Sequence, residues 1–104
     1  MRNKYHAEKT EIDGIKFASR KEARRYQELK LLQRAGVIKD LKLQVPFVLF
    51  EKNEYGRVIK YVADFTYYEG DQYVVEDVKG ILTPLYKLKK RIVAEHFGIK
   101  IKEV

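Results

Sequence analysis

The sequence predicts an α/β fold of the α+β kind, with one mixed sheet flanked by two helices and a short hairpin at the N-terminal end. Three observations predict it. Two segments carry apolar residues at helical spacing between clear start and stop signals. The stretch between them, from Leu41 to Lys79, changes to β-branched and aromatic residues broken by turn signals. Ahead of both, Asp13-Gly14 sits between two short apolar runs, as a type I′ turn pair does.

The elements follow in order. The hairpin runs from Lys9 to Phe17 and is peripheral. Ser19-Arg20-Lys21-Glu22 has the form of a capping box and opens a helix that continues to Gly36, with Tyr26, Leu29, Leu32 and Ala35 as its apolar stripe. Turn signals at Asn53-Glu54-Tyr55-Gly56 and Glu69-Gly70-Asp71 divide the next stretch into three strands, at about Lys42 to Glu51, Arg57 to Tyr68 and Gln72 to Lys79. Thr83-Pro84 is an N-cap followed by proline at the first helical position. It opens a second helix to His96 or Phe97, which Gly98 stops. Leu85, Leu88, Ile92 and Val93 form its buried side, and Lys89 falls toward that arc. Ile99-Lys100-Ile101-Lys102 alternates like a last strand. The core order is αβββαβ, and residues 1–104 read as a single domain without repeats or a linker.

Composition narrows the chemistry. The 104 residues include 22 Lys and Arg against 15 Asp and Glu, a net charge of +7, which favours an anionic partner such as nucleic acid. There is no cysteine, hence no disulfide, no thiolate nucleophile and no cysteine-ligated metal. The longest apolar run, Val45 to Phe50, falls far short of the roughly 20 residues that cross a bilayer, so no membrane partner is expected. Met1 to His6 lead into charged sequence without the apolar stretch of a secretory signal, which makes the cytoplasm the default location. His6 and His96 lack metal-ligand spacing, and no phosphate-binding glycine loop is present. Most of the eight tyrosines and five phenylalanines read as core or strand-face residues.

Asp64 and Asp77 stand in strands that otherwise read as buried, where a charge needs a partner or a metal. A hairpin centred on Gly70 sets Asp64 opposite Glu76 and next to Asp77. Alternation puts Asp77 on the same face as Lys79 and Glu76 on the other. Two converging carboxylates form an oxygen site for Mg²⁺ or Mn²⁺, and a lysine two residues on can steady developing phosphorane charge or orient a water. The competing reading is a salt-bridge network of Asp64, Asp77 and Lys79 on a half-exposed sheet.

Asp64, a hairpin and then Asp77-Val78-Lys79 resemble the PD-(D/E)xK nuclease signature. The stretches Tyr61 to Tyr68, Val74 to Gly80 and Thr83 to Lys90 are similar to a family of small phage and prophage proteins grouped with these nucleases. Ala63 stands where the proline of the signature would be. The resemblance implies a restriction-endonuclease-like core and a Mg²⁺-dependent DNA endonuclease, with Mn²⁺ as substitute and Asp64 and Asp77 as metal ligands. Lys79 would position the attacking water, and Glu76 stands in reserve for Asp77. It further implies Holliday-junction resolution, phage recombination or replication proteins as associates, and the cytoplasm of a phage-infected or prophage-carrying bacterium, while the small domain leaves little surface for reading sequence and so favours branched DNA cut on two strands by a homodimer. Many such nucleases carry a further acid on the first helix, matched here by Glu22. That residue is either a third ligand or only the reciprocal arm of the capping box.

Both helices have basic faces, and Arg20, Lys21, Arg24, Lys87, Lys90 and Arg91 are the candidate phosphate contacts. Gln44, inside the first long strand, either meets the site or is simply a polar strand residue. Two alternatives use the same residues. One is a non-catalytic nucleic-acid-binding module, and the other is a nuclease subunit active only within a larger phage or transposition complex.

Overall fold

The structure is a computed structural model and describes residues 9–51, 56–78 and 83–104. Strands β1 (Thr10–Ile12) and β2 (Ile15–Phe17) form the N-terminal hairpin, with Asp13 and Gly14 at φ 54° and 77° in the left-handed turn that this residue pair accommodates. Helix α1 (Arg20–Arg34) follows, then β3 (Lys39–Phe50), β4 (Ile59–Glu69), β5 (Gln72–Asp77), α2 (Pro84–Phe97) and β6 (Lys102–Glu103). The four-stranded sheet has the order β3-β4-β5-β6. Its first two pairings are antiparallel and the last is parallel, so the sheet is mixed and the αβββαβ order holds. No helix among the described residues is long and apolar enough to cross a membrane.

Local chemistry sets both helix starts. The Ser19 hydroxyl accepts from the Glu22 amide at 3.1 Å, and the Thr83 hydroxyl accepts from the Tyr86 amide at 3.1 Å. Gly98, at φ 64°, ends α2 in the left-handed conformation that glycine adopts without penalty.

The core divides in two. Ala23, Tyr26 and Leu29 of α1 meet Phe65 and Tyr67 of β4, with Phe17 and Ile38 closing the cluster. Val93 of α2 meets Leu49, Tyr61, Ala63, Val75 and Ile101. Helix α2 is rotated from the face the sequence suggests. Leu85 and Leu88 are more than half exposed, whereas Tyr86, Lys89 and Lys90 are half-buried above the fully buried Val93. The tyrosine decides this, because its ring reaches Tyr61 at 6.4 Å between centroids.

The last strand is also displaced. Ile99 and Ile101 turn into the α2 cluster without pairing, and only Lys102 and Glu103 join β5, opposite Glu76 and Asp77. The alternation of Ile99 to Lys102 therefore records burial of a connecting segment. Strand β5 ends at Asp77, and Lys79 lies outside the described residues. Between β4 and β5 the turn is Gly70-Asp71, closed by Glu69 opposite Gln72.

Candidate active site

That two-residue turn fixes the register of the acids. Phe65 pairs with Glu76, so continuing the ladder by one step brings Asp64 beside Asp77. The expected pairing of Asp64 with Glu76 is corrected by one residue, and in a pleated sheet that exchanges the faces.

Glu76 consequently belongs to the α1 side. It is fully buried and accepts from the Arg25 guanidinium at 2.5 and 3.0 Å and from the Tyr67 hydroxyl at 2.6 Å. Arg25 also binds Glu28 at 2.9 Å. Glu76 is a structural anchor, and with its lone pairs engaged by three donors it is not in reserve for a metal.

Asp77, by contrast, is half-buried beside Asp64 and is pushed up to about 7 by burial, followed by its hydrogen-bonding and charge interactions with Asp64; the Tyr61 and Tyr86 hydroxyls pull the other way. Asp64 accepts from the Val78 backbone amide at 2.9 Å, which pins it to the end of β5.

Glu22 enters from the first turn of α1, is 8% exposed and is pushed up to about 7 by burial and then by the charge of Asp64. Its carboxylate is held back by the Ala18 backbone amide, so only the serine half of the expected capping box forms. The helix therefore leaves this carboxylate directed at the strands.

Gln44 links the two sets. Its side-chain amide donates to Glu22 at 3.2 Å and to Asp64 at 3.5 Å. The residue sits at φ 53°, a left-handed conformation unusual for a residue with a side chain and unexpected inside β3. Of the two alternatives open for Gln44 in the sequence, the structure places it against the carboxylates, while Tyr61 and Tyr86 carried no assigned role there. The signal for Gln44 was an amide between Leu43 and Val45; for the tyrosines there was none beyond strand and helix placement.

The Tyr61 hydroxyl is buried within reach of Asp77 and makes no other hydrogen bond among the described residues. No three Asp, Glu, His or Cys side chains among the described residues stand together at metal-binding spacing. Glu22 joins the Asp64–Asp77 pair through the Gln44 amide.

Of the basic candidates, Arg20, Lys21 and Arg24 are exposed on α1, and Lys87 and Arg91 are exposed on α2. Lys90 is bound to Glu103, and Arg91 reaches Glu95 at 3.4 Å.

A family described as protein of unknown function (DUF1064) matches residues 2–103. The chain belongs to this family. No curated protein and no solved structure shows significant similarity to this DUF1064 chain. The site is thus defined by its own residues: a carboxylate pair, a third carboxylate tied to it by an amide, and two tyrosines over them.

Proposed function

We propose that this DUF1064 protein is a Mg²⁺-dependent DNA endonuclease of the PD-(D/E)xK type. The observation that carries the reading is the convergence of Asp64 and Asp77 in a desolvated position, with Glu22 joined to them through Gln44. Two carboxylates supply the hard oxygen donors that Mg²⁺ or Mn²⁺ prefers. The donor set is all oxygen, two adjoining carboxylates with a third tied to them by Gln44, so the residues fit such a cation. Asp64 and Asp77 would hold it, with Glu22 assisting. When bound, it polarises the phosphoryl oxygen and makes water a stronger nucleophile.

The remaining roles fall to the chain. Gln44 holds Glu22 and Asp64 in fixed relative positions, and the Val78 amide fixes Asp64. Tyr61 and Tyr86 cover Asp77 and exclude bulk water from it. Lys79, two residues beyond Asp77, would orient the attacking water. In the reaction, water adds to phosphorus and one P–O ester bond breaks, leaving a hydroxyl and a phosphate monoester. A branched substrate, a homodimer, phage recombination or replication proteins as associates, and the cytoplasm of a phage-carrying bacterium belong to the same proposal, supported by the sequence resemblance and by the small surface left for reading sequence.

The test is a labelled panel of four-way junction, flap, single-stranded and linear duplex DNA with Mg²⁺, Mn²⁺ or EDTA. Wild type is compared with Asp77→Ala and Lys79→Ala. Metal-dependent symmetric cutting of the junction, lost in both variants, supports the full reading. Equal cutting of every substrate retains the nuclease and discards junction selectivity. Binding without cutting under either metal overturns the stand-alone enzyme in favour of a binding module or a partner-dependent subunit.

A further inference from the structure

The two faces of the sheet are unequally covered at the end that carries the β4–β5 turn. On one face Phe65 and Tyr67, with Ile38, Leu41 and Leu43, pack under α1. Alternation sends Lys42, Tyr68 and Tyr73 to the other face, in agreement with the pairing of Lys42 with Thr66 and of Tyr68 with Tyr73. Lys39, opposite Tyr68, joins them there. In a regular strand residues 39 and 42 would point to opposite faces. The register shift between them, with Asp40 at φ 56°, inserts one residue and brings both lysines to the Tyr68 side.

Helix α2 covers Val75 on this face through Val93, and beyond Val75 the face opens. The Tyr68 and Tyr73 rings stand 5.1 Å apart, tilted by 47°, and although each braces the other they remain 37% and 38% exposed. Lys39 and Lys42 are exposed beside them. Tyr73 lies on the Asp77 face of β5, four residues before Asp77 and so about 13 Å along the strand. Open rings flanked by ammonium groups complement a chain that carries both flat rings and negative charge. A nucleic acid strand is such a chain, and its bases are free to stack on a protein where they are unpaired.

We infer that Lys39, Lys42, Tyr68 and Tyr73 form a platform for an unpaired DNA strand, with a base stacked on the tyrosines and phosphates against the lysines. The inference rests on the reading of Asp64 and Asp77 as a site that acts on DNA, and it narrows the substrate to DNA with an unpaired segment. The nucleotides held there flank the phosphate at the carboxylates and take no part in the bond that breaks.

The experiment is fluorescence anisotropy in EDTA over a salt series, with a labelled oligothymidylate, an oligouridylate and a blunt DNA duplex of equal length. The variants are Tyr68→Leu with Tyr73→Leu, Tyr73→Leu alone, Tyr68→Phe with Tyr73→Phe, and Lys39→Gln with Lys42→Gln. Circular dichroism melting establishes that each is folded, and the single leucine variant serves if the double one is not. The leucine pair keeps an apolar cross-strand contact but no flat ring. It is expected to weaken oligothymidylate binding at least about tenfold and to change duplex binding less than about twofold. The phenylalanine pair keeps the rings and is expected to bind within about twofold of wild type. The lysine pair is expected to lower the salt slope on oligothymidylate by about 1.4, two phosphates at roughly 0.7 each. A folded leucine variant that binds oligothymidylate like wild type overturns the inference and leaves the tyrosines as a brace of the hairpin. An equal loss on duplex, or a phenylalanine pair as weak as the leucine pair, overturns it too, as does tighter binding of the oligouridylate. Wild type whose binding falls with the leucine pair but which never cuts DNA with Mg²⁺ keeps the platform and removes the nuclease. Wild type that cuts, beside a leucine pair that binds and cuts equally well, keeps the nuclease and removes the platform.

Discussion

Replacing Glu76 by Gln and its neighbour Asp77 by Asn should move stability in opposite directions. Glu76 is fully buried and takes three hydrogen bonds, two from Arg25 and one from Tyr67. A glutamine there keeps the shape but loses the charge, and it turns an N–H₂ group toward donors. Breaking a buried pair costs about 3 to 5 kcal/mol, and Arg25 is part-exposed, so about 2 to 4 kcal/mol is expected. In a domain of this size that lowers the melting temperature by at least about 10 °C. Asp77 is held at about 7 by burial and by Asp64, so near pH 8 the fold carries a charge it disfavours. Asparagine removes it, and after allowance for solvent the gain is about 1 to 2 kcal/mol. The assay is urea unfolding near pH 8 with and without Mg²⁺. Added Mg²⁺ should stabilise the wild type and Glu76→Gln and leave Asp77→Asn unmoved. If Glu76→Gln is neutral and Asp77→Asn loses more than about 2 kcal/mol, the one-residue register assigned to β4 and β5 is wrong.

Three further outcomes follow from the same geometry. Glu22 and Asp77, both held at about 7 against ordinary values of 4.5 and 3.8, bind protons more tightly folded than unfolded. Metal-free stability therefore falls as pH rises from about 4 to 7, by about 1 to 2 kcal/mol per group, and Glu22→Gln with Asp77→Asn flattens the profile; a wild-type profile rising over that window refutes this. Gln44→Gly and Gln44→Ala both remove the amide, but only glycine relieves the left-handed backbone, so the glycine variant should be more stable by about 1 kcal/mol in denaturant titrations, and both should lose cleavage. Ser19→Ala and Thr83→Ala should each lower stability by about 1 kcal/mol by removing a cap, and unchanged melting in either would deny that cap a role.

Much of the fold was legible because local chemistry specifies it. Asp13-Gly14 forms its turn, Ser19 and Thr83 cap their helices, and Gly98 ends α2, each through bonds within a few residues. The errors lie where tertiary contact prevails. The leucine stripe of α2 gave way to Tyr86, whose ring meets Tyr61, and the alternating Ile99 to Ile101 segment went into the core instead of the sheet. Gln44 was legible only as an amide in a strand, since its left-handed backbone and its two carboxylate partners depend on α1 and β4 being in place.

The αβββαβ order, the basic balance and the candidate acids Glu22, Asp64 and Asp77 could be read from the chain alone, because capping, period and residue type are properties of short segments. Which acid faces which was decided only in three dimensions. A two-residue turn at Gly70-Asp71 sets the register, the register selects the face, and the face sends Glu76 to Arg25 while leaving Asp77 with Asp64. One residue of slip would exchange those roles, and no local preference distinguishes the two registers as sharply as burial of the whole ladder does.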